Sequence, residues 1–525
     1  MMKKNLLIGA LTLSVASLAS AVDIKIPRNA SEDTDKIMTQ KYWDIWNDDV
    51  QKKIDADIEA NRKADACVKI GKIKEGTEVV VEQISHDFIF GAHIFNFDQL
   101  GDDAINAKYK ALYGTLFNSA TVAFYWAKFE MEPNRPRFES EYWDEASYWN
   151  KCQSPKTESH WRRPAPEKVI DYCKQMGIRI HGHPMIWDSR SWHLPTWLFD
   201  SCLTDPAERE KMKKYLVKPQ GMIVNKGTRE EYVPNFKKEI TPQELSKELP
   251  IFAENLNKAF EKRIVELSKY YGDKVDSWDI VNESAAAYNS GRFKAAEGCT
   301  LMKTYWGFMP ADFTFKSFQT AQKNLPANVK LNINDYWEGE AYRNQIQELI
   351  ARGCKIDIVG SQMHLFNPKE SWAMAEGKIP AKASPEGIWK MMNMLDIGKP
   401  IHLSEITITA GDTTPRGRML QAILTRNLYR LWFSIKPMMG ITWWNVVDDC
   451  GAPGEPSLSG LFTRGMNPKP AYYALNELIN KEWKTNFNAT PDADGNIKFR
   501  GFKGKYRFSW YDADGNEQFK IVEVK

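Results

Sequence analysis

The sequence predicts an α/β chain built on a (β/α)8 TIM barrel, with small β-rich N-terminal and C-terminal appendages. Three observations carry this expectation. Eight apolar, strand-like runs follow one another at 88–94, 121–124, 178–186, 275–282, 329–334, 356–364, 401–406 and 441–447. Helical patterns lie between or after them, at 166–176, 253–270, 312–323, 340–352, 386–395, 416–433 and 469–480. Polar residues gather where the runs end: His181 and His183, Asn282 and Glu283, Asn334 and Asp335, Gln362 and His364, Glu405, and Trp443 to Asp449. Strands alternating with helices build a parallel sheet, and eight such units favour closure over an open doubly wound sheet. In a closed barrel the chemistry sits at the carboxyl ends of the strands, where these polar residues fall.

The remaining segments follow in chain order. Lys3 and Lys4, an apolar run from Leu6 to Leu18 and Ala19-Ser20-Ala21 read as an export signal over 1–21. That run is too short to span a bilayer, so a secreted or periplasmic soluble protein is expected, with no membrane partner. Residues 22–87 should hold an amphipathic helix near 47–66 and two short strands split by Gly71 and Gly76. The barrel is expected over 88–484. It is interrupted by insertions at 138–163, with Tyr142, Trp143, Tyr148, Trp149 and Trp161, and at 200–240, with the turn-like Asn225-Lys226-Gly227. Asp494-Gly495 and Asp514-Gly515 mark hairpin turns in a final β appendage over 485–525.

The chain has 525 residues, with 71 Lys and Arg against 68 Asp and Glu. Losing Lys3 and Lys4 with the signal leaves a near-neutral protein, which argues against nucleic acid or an anionic membrane as partner and suits a neutral ligand. The 19 Trp, 20 Tyr and 25 Phe read equally as a large core or as platforms for sugar rings. Seven scattered Cys contain no CxxC, so no zinc site is expected. A monomer without metal or cofactor is the expectation.

Two runs bear most directly on the chemistry. Trp278-Asp279-Ile280-Val281-Asn282-Glu283 and Ile401-His402-Leu403-Ser404-Glu405-Ile406 are largely apolar, and each arrives at a carboxylate. A buried strand has little reason to finish on Glu unless that Glu acts. Two carboxylates facing each other across a pocket are what glycosidic cleavage needs: one acid to protonate the leaving oxygen, and one carboxylate to attack or to activate water.

With the segments His181-Gly182-His183-Pro184-Met185-Ile186-Trp187, Asn334-Asp335-Tyr336, Gln362-Met363-His364 and Gly440-Ile441-Thr442-Trp443-Trp444, and with Pro468-Lys469-Pro470-Ala471-Tyr472 after them, the chain resembles glycoside hydrolase family 10, a family of endo-β-1,4-xylanases. The resemblance runs from about Phe88 to Ile479. It implies that Glu283 is the general acid/base and Glu405 the nucleophile of a retaining, double-displacement hydrolase acting on polysaccharide. It further implies that His364 hydrogen-bonds the nucleophile with Gln362 in the same site, and that Asn282 contacts the sugar 2-hydroxyl. His183 and Trp187 would bind the reacting ring, Trp444 would stack beside it, and Asn334 would be a polar pocket residue. His181 matches no site position and reads as structural, as do His86, His93 and His160. Trp443 should face the core. His193 and Trp197 read either as an outer subsite or as loop packing.

One stretch departs from the family. Its second strand normally ends in a Glu-Asn pair with a Lys three residues on, a polar clamp for the sugar one position further out. Anchored on Glu132-Pro133, this chain has Ala123, Phe124 and Ala127 there; another register offers Lys128 and Glu130. The first register puts an aromatic wall of Phe124, Tyr125 and Trp126 in place of the clamp. A xylan-like substrate is expected, with a different polysaccharide as the alternative, and a carbohydrate-binding protein without catalysis as the rival from another class. Asp188 also stands where the family has a His after Trp187.

Overall fold

The computed structural model describes residues 24–525, apart from 72, 75, 131–132, 138–163, 190–191, 218–221, 227–228, 234, 290–297, 305–306 and 453. The signal region and the 138–163 insertion, with Cys152 and His160, therefore lie outside the described residues.

Eight parallel strands close into a barrel: Ile89–His93, Ser119–Ala123, Arg179–His183, Ser277–Asn282, Lys330–Asp335, Ile358–Leu365, Ile401–Ile408 and Met438–Trp443. Each pairs with the next in parallel, and the eighth returns to the first through Ile441↔Phe90 and Thr442↔Gly91. These strands read as continuous apolar runs because both of their faces are covered, by the barrel interior and by the helix ring. The fourth and seventh are buried along their whole length.

Local sequence sets the geometry at two places. A Cβ at Gly182 would meet the Trp278 ring at 2.4 Å, so the glycine between His181 and His183 lets the third and fourth strands approach. Helix Pro415–Ser434 starts at Thr414, whose side chain accepts from Gly417 N, with Pro at the first turn where the missing N–H costs nothing.

The helix Asp103–Leu116, capped by Asp102, lies between the first two strands where no helix was expected. The eighth strand runs over 438–443 rather than 441–447, so Trp444 sits just beyond its end. The insertion after the third strand holds short helices, Trp197–Cys202 and Pro206–Met212, and a hairpin of Met222–Lys226 with Arg229–Val233.

The two ends of the chain do not form separate appendages. Lys63–Lys69 pairs antiparallel with Asn496–Phe502. Val79–His86 lies between Asn486–Ala489 and Gly504–Tyr511, with Glu517–Val524 at the edge. Val68, Val79, Val81, Ile497, Tyr506, Phe508 and Val524 make a small core of their own. Isolated hairpins are marginal in water, and joining both ends lets each cover the other's apolar face. Helix Asp48–Arg62 ties this unit to the barrel: the Arg62 guanidinium donates to the Phe433 and Ile435 carbonyls and lies over the Phe88 and Phe433 rings. Among the described residues no helix is long and apolar enough to cross a membrane.

Candidate active site

A cleft of about 620 Å³ opens at the carboxyl ends of the barrel strands. His183, Trp187, Asn282, Glu283, Gln362, His364, Glu405 and Trp444 all line it. Asn334 lies behind the wall, fully buried, and reaches the site through its amide.

Glu283 leaves the fourth strand with φ at +56°, a left-handed conformation that costs a non-glycine residue on the order of 1–3 kcal/mol. Its backbone N–H donates to the Asn334 carbonyl at 2.7 Å, which holds the turn in place. The strained backbone turns the carboxyl out of the sheet and into the cleft. Burial pushes the Glu283 pKa well above the ordinary glutamate value, and the nearby Glu405 and Asp335 carboxylates push it further. Hydrogen bonds from Gln362 and Asn282 oppose that shift without cancelling it.

Glu405, in the seventh strand, is held by donors. Asn334 Nδ2 donates to Glu405 Oε1 at 2.9 Å, and Gln362 Nε2 donates to the same oxygen at 3.1 Å. His364 Nε2 stands 3.6 Å from Oε2, and His183 Nε2 stands 3.8 Å from Oε1. His364 Nδ1 meets Thr407 Oγ1 at 2.9 Å, which orients the ring.

Gln362 fixes the distance between the two carboxyls. Its Nε2 lies 3.2 Å from Glu283 Oε1 and 3.1 Å from Glu405 Oε1. The facing oxygens are therefore closer than the roughly 6.5 Å at which the inverting arrangement begins, and compatible with the about 5–5.5 Å of the retaining one. One carboxyl kept protonated and one surrounded by donors can together protonate a leaving oxygen and attack the carbon it leaves.

A second network orients His183. Asp279, buried inside the fourth strand, lies 2.9 Å from His181 Nε2 and 2.7 Å from His183 Nδ1. Burial alone would raise the Asp279 pKa, but the charges and hydrogen bonds of the two histidines more than offset it, and the group stays ionised. An ionised carboxylate only accepts, so both of those ring nitrogens carry hydrogens and Nε2 of His183 faces the cleft. His181 is thus a positioning residue beneath the site. The Trp187 indole N–H is buried without a hydrogen-bond partner among the described residues.

Of the residues 124–126 at which the first register expects an aromatic wall, Tyr125 alone lines the cleft. Ala123, Tyr125, Phe95 and Trp444 pack together with Trp187 against them, and Tyr125 lines the cleft 5.5 Å from the His183 ring. Phe124 instead faces away, against Tyr271 and Trp278. Trp126 is also turned away, its indole N–H donating to Glu130 at 2.8 Å. Glu130 is thereby occupied and lines no part of the cleft, and Phe95 packs behind Tyr125 in the buried cluster. His193 and Trp197 pack the loop: His193 is buried against Trp126, and Trp197 donates to the Glu130 carbonyl. Trp443 is fully buried in the core. None of the described residues in 200–240 lines the cleft.

Sequence reasoning missed Trp192, Tyr336 as a cleft residue, Glu338, Phe366, Lys382 and Glu455, all in the cleft wall. They sit on loops and, for Lys382, on the short 3-10 helix Ala381–Ala383, where no periodicity marks them. Tyr336 adjoins the Asn334-Asp335 pair, and that adjacency was the available signal.

Residues 234–478 match the model of Glycosyl hydrolase family 10, a span that contains Glu283, Gln362, His364, Glu405 and Trp444. The chain is similar to Endo-1,4-beta-xylanase A of Thermoanaerobacterium saccharolyticum, 20% identical over 61% of this chain and 23% of that protein. It is also similar to Endo-1,4-beta-xylanase A of Halalkalibacterium halodurans, 23% identical over 56% of this chain and 64% of that one. The chain thus spans between about a quarter and two thirds of the length of these curated relatives. Among solved structures, a GH10 protein from Paenibacillus barcinonensis aligns with a TM-score of 0.47 at 18% identity, covering 75% of this chain and 95% of its own. The chain is thus similar to glycosyl hydrolase family 10 over residues 234–478.

Proposed function

We propose that this chain is an exported, retaining endo-β-glycanase that hydrolyses β-1,4-xylan or a xylan-like polysaccharide by double displacement. Glu405 attacks the anomeric carbon while Glu283 gives its proton to the departing glycosidic oxygen. The bond to the leaving sugar breaks as the Glu405 ester forms. Glu283, now a carboxylate, takes a proton from water; the water oxygen attacks the same carbon and releases Glu405. Two inversions restore the original configuration.

The observation that carries this reading is the Gln362 amide nitrogen touching both carboxyls, 3.2 Å from one and 3.1 Å from the other. The upward shift of the Glu283 pKa by burial favours the protonated acid that the first step requires. Endo action is supported by a cleft whose lining reaches beyond the carboxyl pair, to Tyr125, Trp187, Phe366 and Lys382.

One observation favours a second substrate reading. Ala123, Phe124 and Ala127 fall at the positions of the family's polar clamp in the preferred register, and Tyr125 beside them lines the cleft, which supports stacking in place of hydrogen bonding there. A glycan related to xylan but differently hydroxylated fits such a wall. Chromatography of products from a panel of plant and algal polysaccharides decides between the two. Short xylo-oligosaccharides released from xylan support the first; release from another glycan, with xylan untouched, supports the second.

A further inference from the structure

We propose that the strand Glu517–Val524 pairs antiparallel with the same strand of a second copy of this chain, joining the two terminal sheets across a two-fold axis. This surface lies outside the cleft, and the inference stands independently of the reaction proposed above. The strand pairs along its whole length with Gly504–Tyr511, and among the described residues no strand lies on its other side. Half of its backbone N–H and C=O groups therefore point outward, a row ready to take up another strand. Such a dimer replaces the monomer expected from the sequence.

Proteins guard such edges by keeping them short, by breaking them with a proline or a bulge, or by setting a lysine into them. The opposite edge of the same sheet is guarded: Asn486–Ala489 has four residues and is followed by Thr490 and Pro491. Glu517–Val524 has eight residues, no proline and no break in register. Its one lysine, Lys520, is drawn inward, with Nζ donating to the Lys69 carbonyl at 2.7 Å. Val522 and Val524 also turn inward, onto the small terminal core, which leaves Phe519 and Ile521 outward at 58% and 53% exposed.

Alternation and charge together select the register. Residues directly opposite in an antiparallel pair share a face, so the outward residues Glu517, Phe519, Ile521 and Glu523 must meet one another. Arg507 holds Glu517 on that face at 2.6 Å, and Lys525, 3.3 Å from Glu523, continues it. An axis at Lys520 sets that lysine against its copy and Glu517 against Glu523, like charge on like charge. An axis at Phe519 or at Val522 sets Ile521 against a glutamate. An axis at Ile521 packs that residue on its copy, with Phe519 diagonal to it, and brings Glu517 opposite Lys525 at both ends. Opposite charges facing each other across strands stabilise the pairing, so the charges of this strand complement those of its own copy in that register.

Analytical ultracentrifugation of the full chain over a range of concentrations tests this. The expected result is a reversible dimer whose fraction rises with concentration. Ile521→Lys sets two ammonium groups together on the axis and should weaken association by at least about tenfold. Glu517→Lys alone and Lys525→Glu alone should each weaken it roughly tenfold, and the two reversals combined should restore it. All four positions of change are exposed in the single chain, and an unmoved melting temperature shows that each variant folds. A monomer at every concentration overturns the inference, as does a dimer that Ile521→Lys leaves intact or a double reversal that fails to restore association. A protein that stays monomeric and is retained on insoluble xylan through Phe519, with retention lost in Phe519→Ala, assigns the strand to glycan and overturns it as well.

Discussion

Gln362 donates its side-chain amide to Glu405 Oε1 at 3.1 Å, and the same nitrogen lies 3.2 Å from Glu283 Oε1. The two groups on which the chemistry depends are thereby spaced by a third residue from the sixth strand, between the fifth and seventh. Asn334 repeats the arrangement one strand over, donating to Glu405 at 2.9 Å and to Asn282 at 2.8 Å. The carboxyls are thus held by side chains from the barrel itself rather than by loops.

Replacing Gln362 with Leu should remove this spacer while keeping volume. Losing one donor to a charged group costs about 1–3 kcal/mol, so kcat should fall roughly 5- to 150-fold. The Gln362 bond also lowers the Glu283 pKa, so the alkaline limb of the pH–rate profile should move upward in the variant. Steady-state rates across pH check both; a lowered kcat with an unmoved alkaline limb contradicts the assignment.

Replacing Glu283 with Gln removes the proton donor without changing its shape. Hydrolysis of unactivated xylo-oligosaccharides should fall by at least about 10²-fold, while aryl glycosides with good leaving groups lose far less in the first step. The alkaline limb should flatten. Equal losses on both substrate types count against an acid role for Glu283.

Tyr125 offers a separate handle on the aromatic wall. Tyr125→Ala should raise KM roughly two- to tenfold on long substrates, with kcat changed less, since the ring is placed to stack on a sugar beyond the reacting one. Oligosaccharides of increasing length test this. The effect should appear only once the chain is long enough to reach the wall, and a uniform loss at all lengths contradicts it.

Glu338 also predicts a stability profile. Its pKa is raised from 4.5 to about 8 in the folded chain, so between those values the folded state binds a proton that the unfolded state has lost. The stability from this group is therefore fully present below 4.5 and declines as pH rises toward 8. Glu338→Gln should flatten that decline, and Tm measured across pH by calorimetry checks it. An unchanged slope means that other groups set the profile.

The barrel was legible in sequence because its strands are buried on both faces and read as unbroken apolar runs, from Ile89–His93 to Met438–Trp443. The carboxyls were legible for the converse reason: Glu283 and Glu405 are polar where burial disfavours polarity. The joined terminal unit was not. Val68 pairs opposite Ile497 with the whole barrel between them in sequence, and no local pattern announces such a pairing. Glu338 and Lys382 escaped because a lone charge outside the strands and long helices looks like any solvated residue until the fold turns it inward. Helix Asp103–Leu116 escaped because its apolar positions are diluted by Asn106, Lys108 and Lys110.

The central claim is retention, set by the distance that Gln362 imposes. Proton NMR of a fresh digest of a β-xylo-oligosaccharide, recorded before mutarotation, reads it directly. The account predicts that the β-anomer of the new reducing end appears first and the α-anomer grows in later. An α-anomer appearing first, or hydrolysis that persists at full rate in Glu405→Ala, would contradict it.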